Sequence, residues 1–179
     1  MMPTQIHSLE SYFHSLVHTI FETRAGLHDA EIGAYVANML CEFSEPSNVY
    51  RLRDDRGKRL EDLKEMARAA DPVFGTAVSF DEERRVRQYM GDYALFVAGM
   101  CYDAVKSGSN ELEGGPTLAE LIEVGKQSYS IVSKFDVCEY RSEAPLFMRL
   151  ASDFERCVLG LALVREKMAT ASMAVSEEF

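Results

Sequence analysis

One stretch of this chain limits its architecture more than any other. Tyr93-Ala94-Leu95-Phe96-Val97-Ala98-Gly99-Met100-Cys101-Tyr102 is apolar around every face of the helix it would form. A helix with a single apolar stripe can lie on a surface, but one that is apolar all round must be covered on most sides. Lipid is excluded as the cover, because a spanning helix needs roughly 20 apolar residues and the run is far shorter. The cover therefore comes from the rest of the chain, 179 residues of which 47% are apolar. A chain of that size buries roughly 70% of its unfolded surface and needs neither disulfide nor structural metal to hold a core.

Helical periodicity dominates the remainder. From Ile6, apolar residues recur at Leu9, Phe13, Leu16 or Val17, and Ile20. That spacing predicts a first helix over about residues 5–23. His28-Asp29 supplies a cap for a second helix, whose Ile32, Tyr35, Val36, Met39, Leu40 and Phe43 form a broad apolar face ending near Ser44-Glu45-Pro46. Apolar and basic residues alternate around Asp54-Asp55-Arg56-Gly57, which suits a small β-hairpin near residues 49–60. Leu60 to Ala70 reads as helix again, and Ser79 with the acids after it opens the longest one, Asp81 to Lys106. The loop from Ser107 to Pro116 joins it to a capping-box helix, Thr117 with Glu120, running to about Phe135. A last helix, Ala144 to Thr170, carries Phe147, Leu150, Phe154, Cys157, Leu161, Val164 and Met168 in unbroken alternating steps of three and four. Such a register is the seam of a bundle or of a dimer. The fold class predicted is all-α: one domain over 1–170, an irregular bundle of about six helices around the long Asp81 helix, with a tail over 171–179 that frays.

Charge restricts the partners. Asp and Glu number 29 against 19 Lys and Arg, a net charge of −10, which repels a phosphate backbone, so nucleic acid is not expected. The N-terminus shows no export signal, which makes a cytoplasmic location the expectation and membrane association not one. Cys41, Cys101, Cys138 and Cys157 are scattered among apolar helical stretches and are expected as buried, reduced thiols.

Two groups of residues bear on chemistry. His14 and His18 are four apart, and with Glu10 and Glu22 they make an i, i+4 ladder on one helix face, a spacing at which two imidazoles chelate a metal. At about 100° per residue this face lies away from the apolar stripe, so a solvated polar face is the plainer reading. Asp92 is the second focus: a carboxylate inside the most apolar helix has to be paired. It is expected either to fix helix register through a buried pair or to serve as a functional carboxylate in an inter-helix ligand pocket with Tyr93, Phe96, Met100, Lys126 and Tyr129. Gly91, Gly99 and Gly125 are read as points where another backbone comes close. Arg51, Arg53, Arg56, Lys58 and Arg59 concentrate positive charge, diluted by Asp54, Asp55, Glu61 and Asp62.

Two resemblances attach to these residues. His28-Asp29 resembles the adjacent pair of the metal-dependent phosphohydrolases named for it, also all-helical, which implies a metal held by His14, His18, His28 and Asp29; no downstream Asp sits in that family's usual setting, although Asp92 and Asp103 are available. Met90-Gly91-Asp92-Tyr93-Ala94-Leu95-Phe96-Val97-Ala98-Gly99, then Gly125-Lys126-Gln127-Ser128-Tyr129 and Glu143-Ala144-Pro145-Leu146, resembles a group of bacterial helical proteins. In that group a Gly-Asp-x-x-Leu-Phe-x-x-Gly helix precedes a Gly-Lys-x-Ser-Tyr helix. The likeness covers Asp81 to Met168 and implies the helical boundaries without an activity. Acidic charge, the unbroken seam and the lack of a catalytic motif together lead to the expectation of a non-enzymatic interaction or regulatory module that self-associates, with a dimer first and a protein partner next, and no cofactor. A metal-dependent hydrolase of small phosphorylated substrates, or a binder of a small apolar ligand, is the alternative.

Overall fold

Helices begin in this chain where a side-chain oxygen stands ready for the free N–H groups of a first turn. Asp29 accepts from the backbone N–H of Glu31 and Ile32, both at 3.1 Å, and opens a helix at Ala30. Ser79 accepts from Glu82 N–H at 3.2 Å. Thr117 and Glu120 close a full capping box. Each cap satisfies donors that the helix itself leaves without partners.

The computed structural model describes residues 6–49, 63–71, 73, 75, 79–108 and 115–176. Every regular element among them is helical: α1 (Ile6–Thr23), α2 (Ala30–Phe43), α3 (Pro46–Val49), α4 (Leu63–Ala70), α5 (Phe80–Met100), α6 (Tyr102–Lys106), α7 (Leu118–Ser133), α8 (Ala144–Ser152) and α9 (Phe154–Ser176), with a 3-10 turn at Cys138–Tyr140 before α8. The all-α class is as the periodicity predicts. The hairpin expected near 49–60 falls, beyond Val49 at the end of α3, outside the described residues.

α5 is the axis of the assembly. It packs against α7, α9 and α4, while α1 pairs with α2 and α7 with α8. Its buried residues run on more than one face, from Val86 and Tyr89 through Met90, Ala94, Leu95 and Ala98, as a helix apolar all round requires. The close approaches expected at Gly91, Gly99 and Gly125 are present, made by side chains and not by backbone. A methyl at Gly91 would overlap the Tyr129 ring, one at Gly99 the Leu161 side chain, and one at Gly125 the Phe154 ring. Small residues on α5 and α7 thus form the sockets into which large residues of α7 and α9 fit.

Two long helices of the sequence reading are each divided. The Asp81–Lys106 segment changes direction at Cys101, where φ is −110° and ψ 25°. The ladder continues through it, Cys101 N–H to Val97 O at 3.0 Å and Val105 N–H to Cys101 O at 2.9 Å. The Ala144–Thr170 segment turns in the same way at Asp153, whose φ is −101° and ψ 18°. Neither site carries Gly or Pro, and both keep helical hydrogen bonds on either side, so the apolar register runs on while the axis bends. That register is spent inside the molecule: Phe147, Leu150, Phe154, Cys157, Leu161 and Val164 are all buried, and Met168 packs half-buried against the core. Beyond Thr170, α9 continues as helix to Ser176. The thiols divide too. Cys157 is buried and Cys41 half-buried, but Cys101 at the bend and Cys138 in the 3-10 turn are exposed, and all four are free.

Candidate functional site

Asp92 sits about two turns before Gly99, the last buried residue of α5, with 5% of its surface exposed. A carboxylate there needs donors, and two tyrosines supply them. Tyr35 of α2 donates its hydroxyl proton to Asp92 Oδ1 at 2.6 Å, and Tyr129 of α7 donates to the same oxygen at 2.7 Å. O–H donors to carboxyl oxygens make short, strong bonds, which offset the cost of burying the group. Burial pushes both tyrosine hydroxyls well above their ordinary value of 10.0, and the neighbouring Asp92 charge pushes them further. Both therefore remain O–H donors throughout the neutral range. The rings lock as well, since Phe147 of α8 meets Tyr35 edge-on at 5.4 Å between centroids and Tyr129 at 5.7 Å. One carboxylate thereby ties α2, α5, α7 and α8 together.

The hydrogen bonds reach the surface from this hub. Gln88 Nε2, one turn up α5, donates to the Tyr35 hydroxyl at 3.2 Å, and Arg84 Nη1 reaches Gln88 Oε1 at 3.4 Å. Arg84 is itself buried to 7% exposure. It pairs with Glu143 at 2.6 Å, and its guanidinium lies 4.0 Å over the Tyr140 ring. Tyr140 in turn donates to Asp81 Oδ1 at 2.9 Å, a bond that raises its hydroxyl. A recess of about 410 Å³ lined by Asp81, Glu82, Arg84, Arg85, Gln88 and Tyr140 opens at this outer end. Arg85 lies 3.8 Å from Glu82 there, while Arg84 turns to Glu143 and Asp81 to the Tyr140 hydroxyl.

Of the pocket candidates, the structure brings Asp92 and Tyr129 together and disperses the others. Tyr93 stacks on Tyr89 at 6.2 Å, Phe96 meets Phe43 edge-on at 5.1 Å, and Met100 packs half-buried against the core. Lys126 lies on the surface, paired with Glu155 at 2.7 Å. Tyr35 is the partner the sequence reading missed; it was read only as one member of an apolar face. Tyr89, also on α5, donates its hydroxyl to Val49 O and so fastens α3.

The metal candidates are likewise apart. His14 is half-buried rather than solvated, its Nε2 lying 2.8 Å from Asn38 Oδ1 of α2, whereas His18 and His28 are exposed. Asp29 is committed elsewhere: one oxygen caps α2 and the other receives Arg149 Nε at 2.7 Å. Arg149 Nη2 also holds Glu31. Among the described residues no group of three or more His, Cys, Asp or Glu is arranged to hold a metal ion.

A second concavity lies on the far side of the molecule, between α9, the end of α1 and the start of α6. This groove, about 700 Å³, has an apolar floor of Leu159, Ala162, Leu163, Ala169 and Met173. Leu159 is 50% and Met173 69% exposed. No sequence motif marked it. The chain matches no protein-family model, no curated protein and no solved structure.

Proposed function

We propose that this chain is a non-enzymatic interaction module that self-associates through the groove along α9. The observation that carries the reading is the groove itself: along α9, Leu159 and Met173 are exposed about four turns apart with Ala162, half-buried Leu163 and Ala169 between them, while the opposite face is packed into the core. Large apolar residues grouped in a concave surface with a polar rim are a docking surface, whereas the same residues scattered singly would carry no such meaning. The seam read as that of a bundle or of a dimer lies in the core, so self-association falls to the outer face of the same helix. The commitment of Asp92 to two tyrosine hydroxyls supports a structural role for the most conspicuous carboxylate. No helix among the described residues is long and apolar enough to cross a membrane.

Sedimentation velocity over a concentration series tests this. A monomer–dimer equilibrium is expected for the unaltered protein, and Leu159→Glu with Met173→Glu should weaken it by at least tenfold, on the order of an interface hot spot. Both residues are exposed in the single chain, so the thermal stability of the monomer should be unchanged. Monomers at every concentration, or a dimer indifferent to the double substitution, would remove the proposal.

A further inference from the structure

Between α7 and α8 the usual relation of cover to core is reversed. Every residue from Ser133 to Glu143 is exposed or half-buried, and Val137 leaves 56% of its surface in water. Yet the side chain this segment lies over, Arg84 of α5, is a cation with only 7% exposure. A buried charge, which needs partners, is thus covered by a stretch that buries none of its own residues. What holds the stretch down is polar. The Tyr140 ring stands 4.0 Å from the Arg84 guanidinium, its hydroxyl donates to Asp81 at 2.9 Å, and Glu143 takes Arg84 Nη2 at 2.6 Å. Together these contacts form a clasp on the first turns of α5. Arg141 and Asp136, 3.8 Å apart, pair within the segment and anchor it to nothing else.

The backbone of the segment works against the clasp. Cys138 has a φ of 49°, and among the described residues it is the one non-glycine with a positive φ. That conformation drives Cβ towards the following carbonyl oxygen and persists only where surrounding contacts hold it. The local hydrogen bonds are short-range and include a long one: Tyr140 N–H to Val137 O at 3.1 Å, Arg141 N–H to Cys138 O at 3.4 Å and Glu143 N–H to Tyr140 O at 3.1 Å. Both flanks are firm, since Val132 of α7 and Ala144 of α8 are buried. A strained, shallowly packed stretch between fixed ends belongs to the part of a fold that opens first.

We propose that residues 134–143 are a strap that opens as a unit and governs the availability of Arg84. In the closed form the guanidinium donates to Glu143 and Gln88. When Tyr140 and Glu143 lift away, Cys138 relaxes and the guanidinium turns its donors to water in the recess that Arg84 and Gln88 line. Gln88 donates to Tyr35, and Tyr35 to Asp92, so opening also frees the outer anchor of the chain that ends on the buried carboxylate.

Hydrogen exchange followed by NMR reads the opening at the backbone N–H groups of Tyr140, Arg141 and Glu143 and at the Arg84 side-chain Nε–H, which is buried and meets no acceptor among the described residues. These protons are expected to be less protected than amides in the middle of α5 and α7, and indifferent to low urea, because a local opening exposes little surface. Glu143→Ala removes half of the clasp without removing a helix cap, since that side chain caps nothing in α8. It should quicken exchange at all of these protons about tenfold and leave α5 and α7 unmoved. Cys138→Val, whose β-branched side chain tolerates a left-handed backbone least, should quicken it about fivefold, whereas Cys138→Asn should not. Protons that exchange only in step with the α5 and α7 amides, or that ignore both Glu143→Ala and Cys138→Val, would overturn the strap. Faster strap amides with an Arg84 Nε–H that keeps its protection would show that the strap moves without governing Arg84, and would overturn the proposal as well.

Discussion

The hydroxyl of Tyr129 has no access to water and one acceptor, Asp92 Oδ1, so its worth is measurable by deleting it. Tyr129→Phe keeps the ring against Gly91 and Phe154 and removes only the donor. It is expected to cost about 1–3 kcal/mol at neutral pH, the range for a buried hydrogen bond whose acceptor is left short of a partner. The pH dependence gives a sharper check. The folded state holds this hydroxyl well above its ordinary 10.0, so the contribution is complete below about pH 10 and is lost as the unfolded chain begins to ionise. Urea midpoints of the two proteins should therefore converge as pH rises above about 10, because phenylalanine has no proton to lose. A gap that stays constant through the alkaline range would show that burial does not hold the proton on. Half of this hub was legible in the sequence. A carboxylate in an apolar helix announces that donors must exist, and Tyr129 stood at a position that made it a candidate. Tyr35 lies 57 residues away in a different helix, and nothing in its own surroundings distinguishes a tyrosine that packs from one that donates. Lys126 is a pocket candidate beside Asp92 in the sequence; on α7 it is Tyr129 that is buried against Asp92, and Lys126 pairs with Glu155.

At the scale of elements, the start of α2 shows how one residue serves two neighbours. Asp29 caps α2 with one oxygen and holds Arg149 of α8 with the other. Partial burial pushes its carboxyl up, but the Arg149 hydrogen bond and the N–H groups of Ile32 and Glu31 together bring it below the ordinary 3.8. A lowered carboxyl stabilises the fold above that value and ceases to as pH falls and the group protonates. Asp29→Ala should cost about 1–2 kcal/mol at neutral pH, mostly from the lost cap, since a partly exposed ion pair adds little. Asp29→Asn, which keeps a capping oxygen, should cost less. Chemical denaturation at neutral pH ranks the two variants, and the loss of each relative to the natural protein should shrink as pH falls below the ordinary 3.8 and the natural carboxyl protonates. Equal losses for both substitutions would mean that Arg149, not the cap, carries the contact. Caps of this kind are readable from sequence because they are local: Asp29, Ser79 and Thr117 each announce a helix start within three residues. The bends at Cys101 and Asp153 are not, for the opposite reason. The apolar register that reveals a helix is indifferent to its axis, so a seam running from Phe147 to Met168 reads as one helix although Asp153 divides it.

Across the whole molecule, charge and packing make opposing demands on self-association. A chain of −10 repels its own copy at long range, and that repulsion acts over roughly a Debye length, about 30 Å at 0.01 M salt and about 8 Å at 0.15 M. The groove offers a short-range attraction that is mainly apolar, with its own four charges balanced and partly satisfied within one copy. Added salt weakens the first and leaves the second nearly untouched. Dimerisation should therefore tighten several-fold between about 0.01 and 0.15 M salt, then level off once the long-range field is screened. Sedimentation velocity at fixed protein concentration and graded ionic strength reads this directly. The opposite trend, weakening with salt, would place ion pairs made by the groove's own Arg24, Asp103, Arg165 and Glu166 at the centre of the contact and demote Leu159 and Met173 to its rim. Net charge is a property of composition and was available from the sequence. Which face escapes that charge was not, because the outer face of α9 becomes distinguishable from the inner one only when α1, α5 and α6 have packed and one side of the helix is left uncovered.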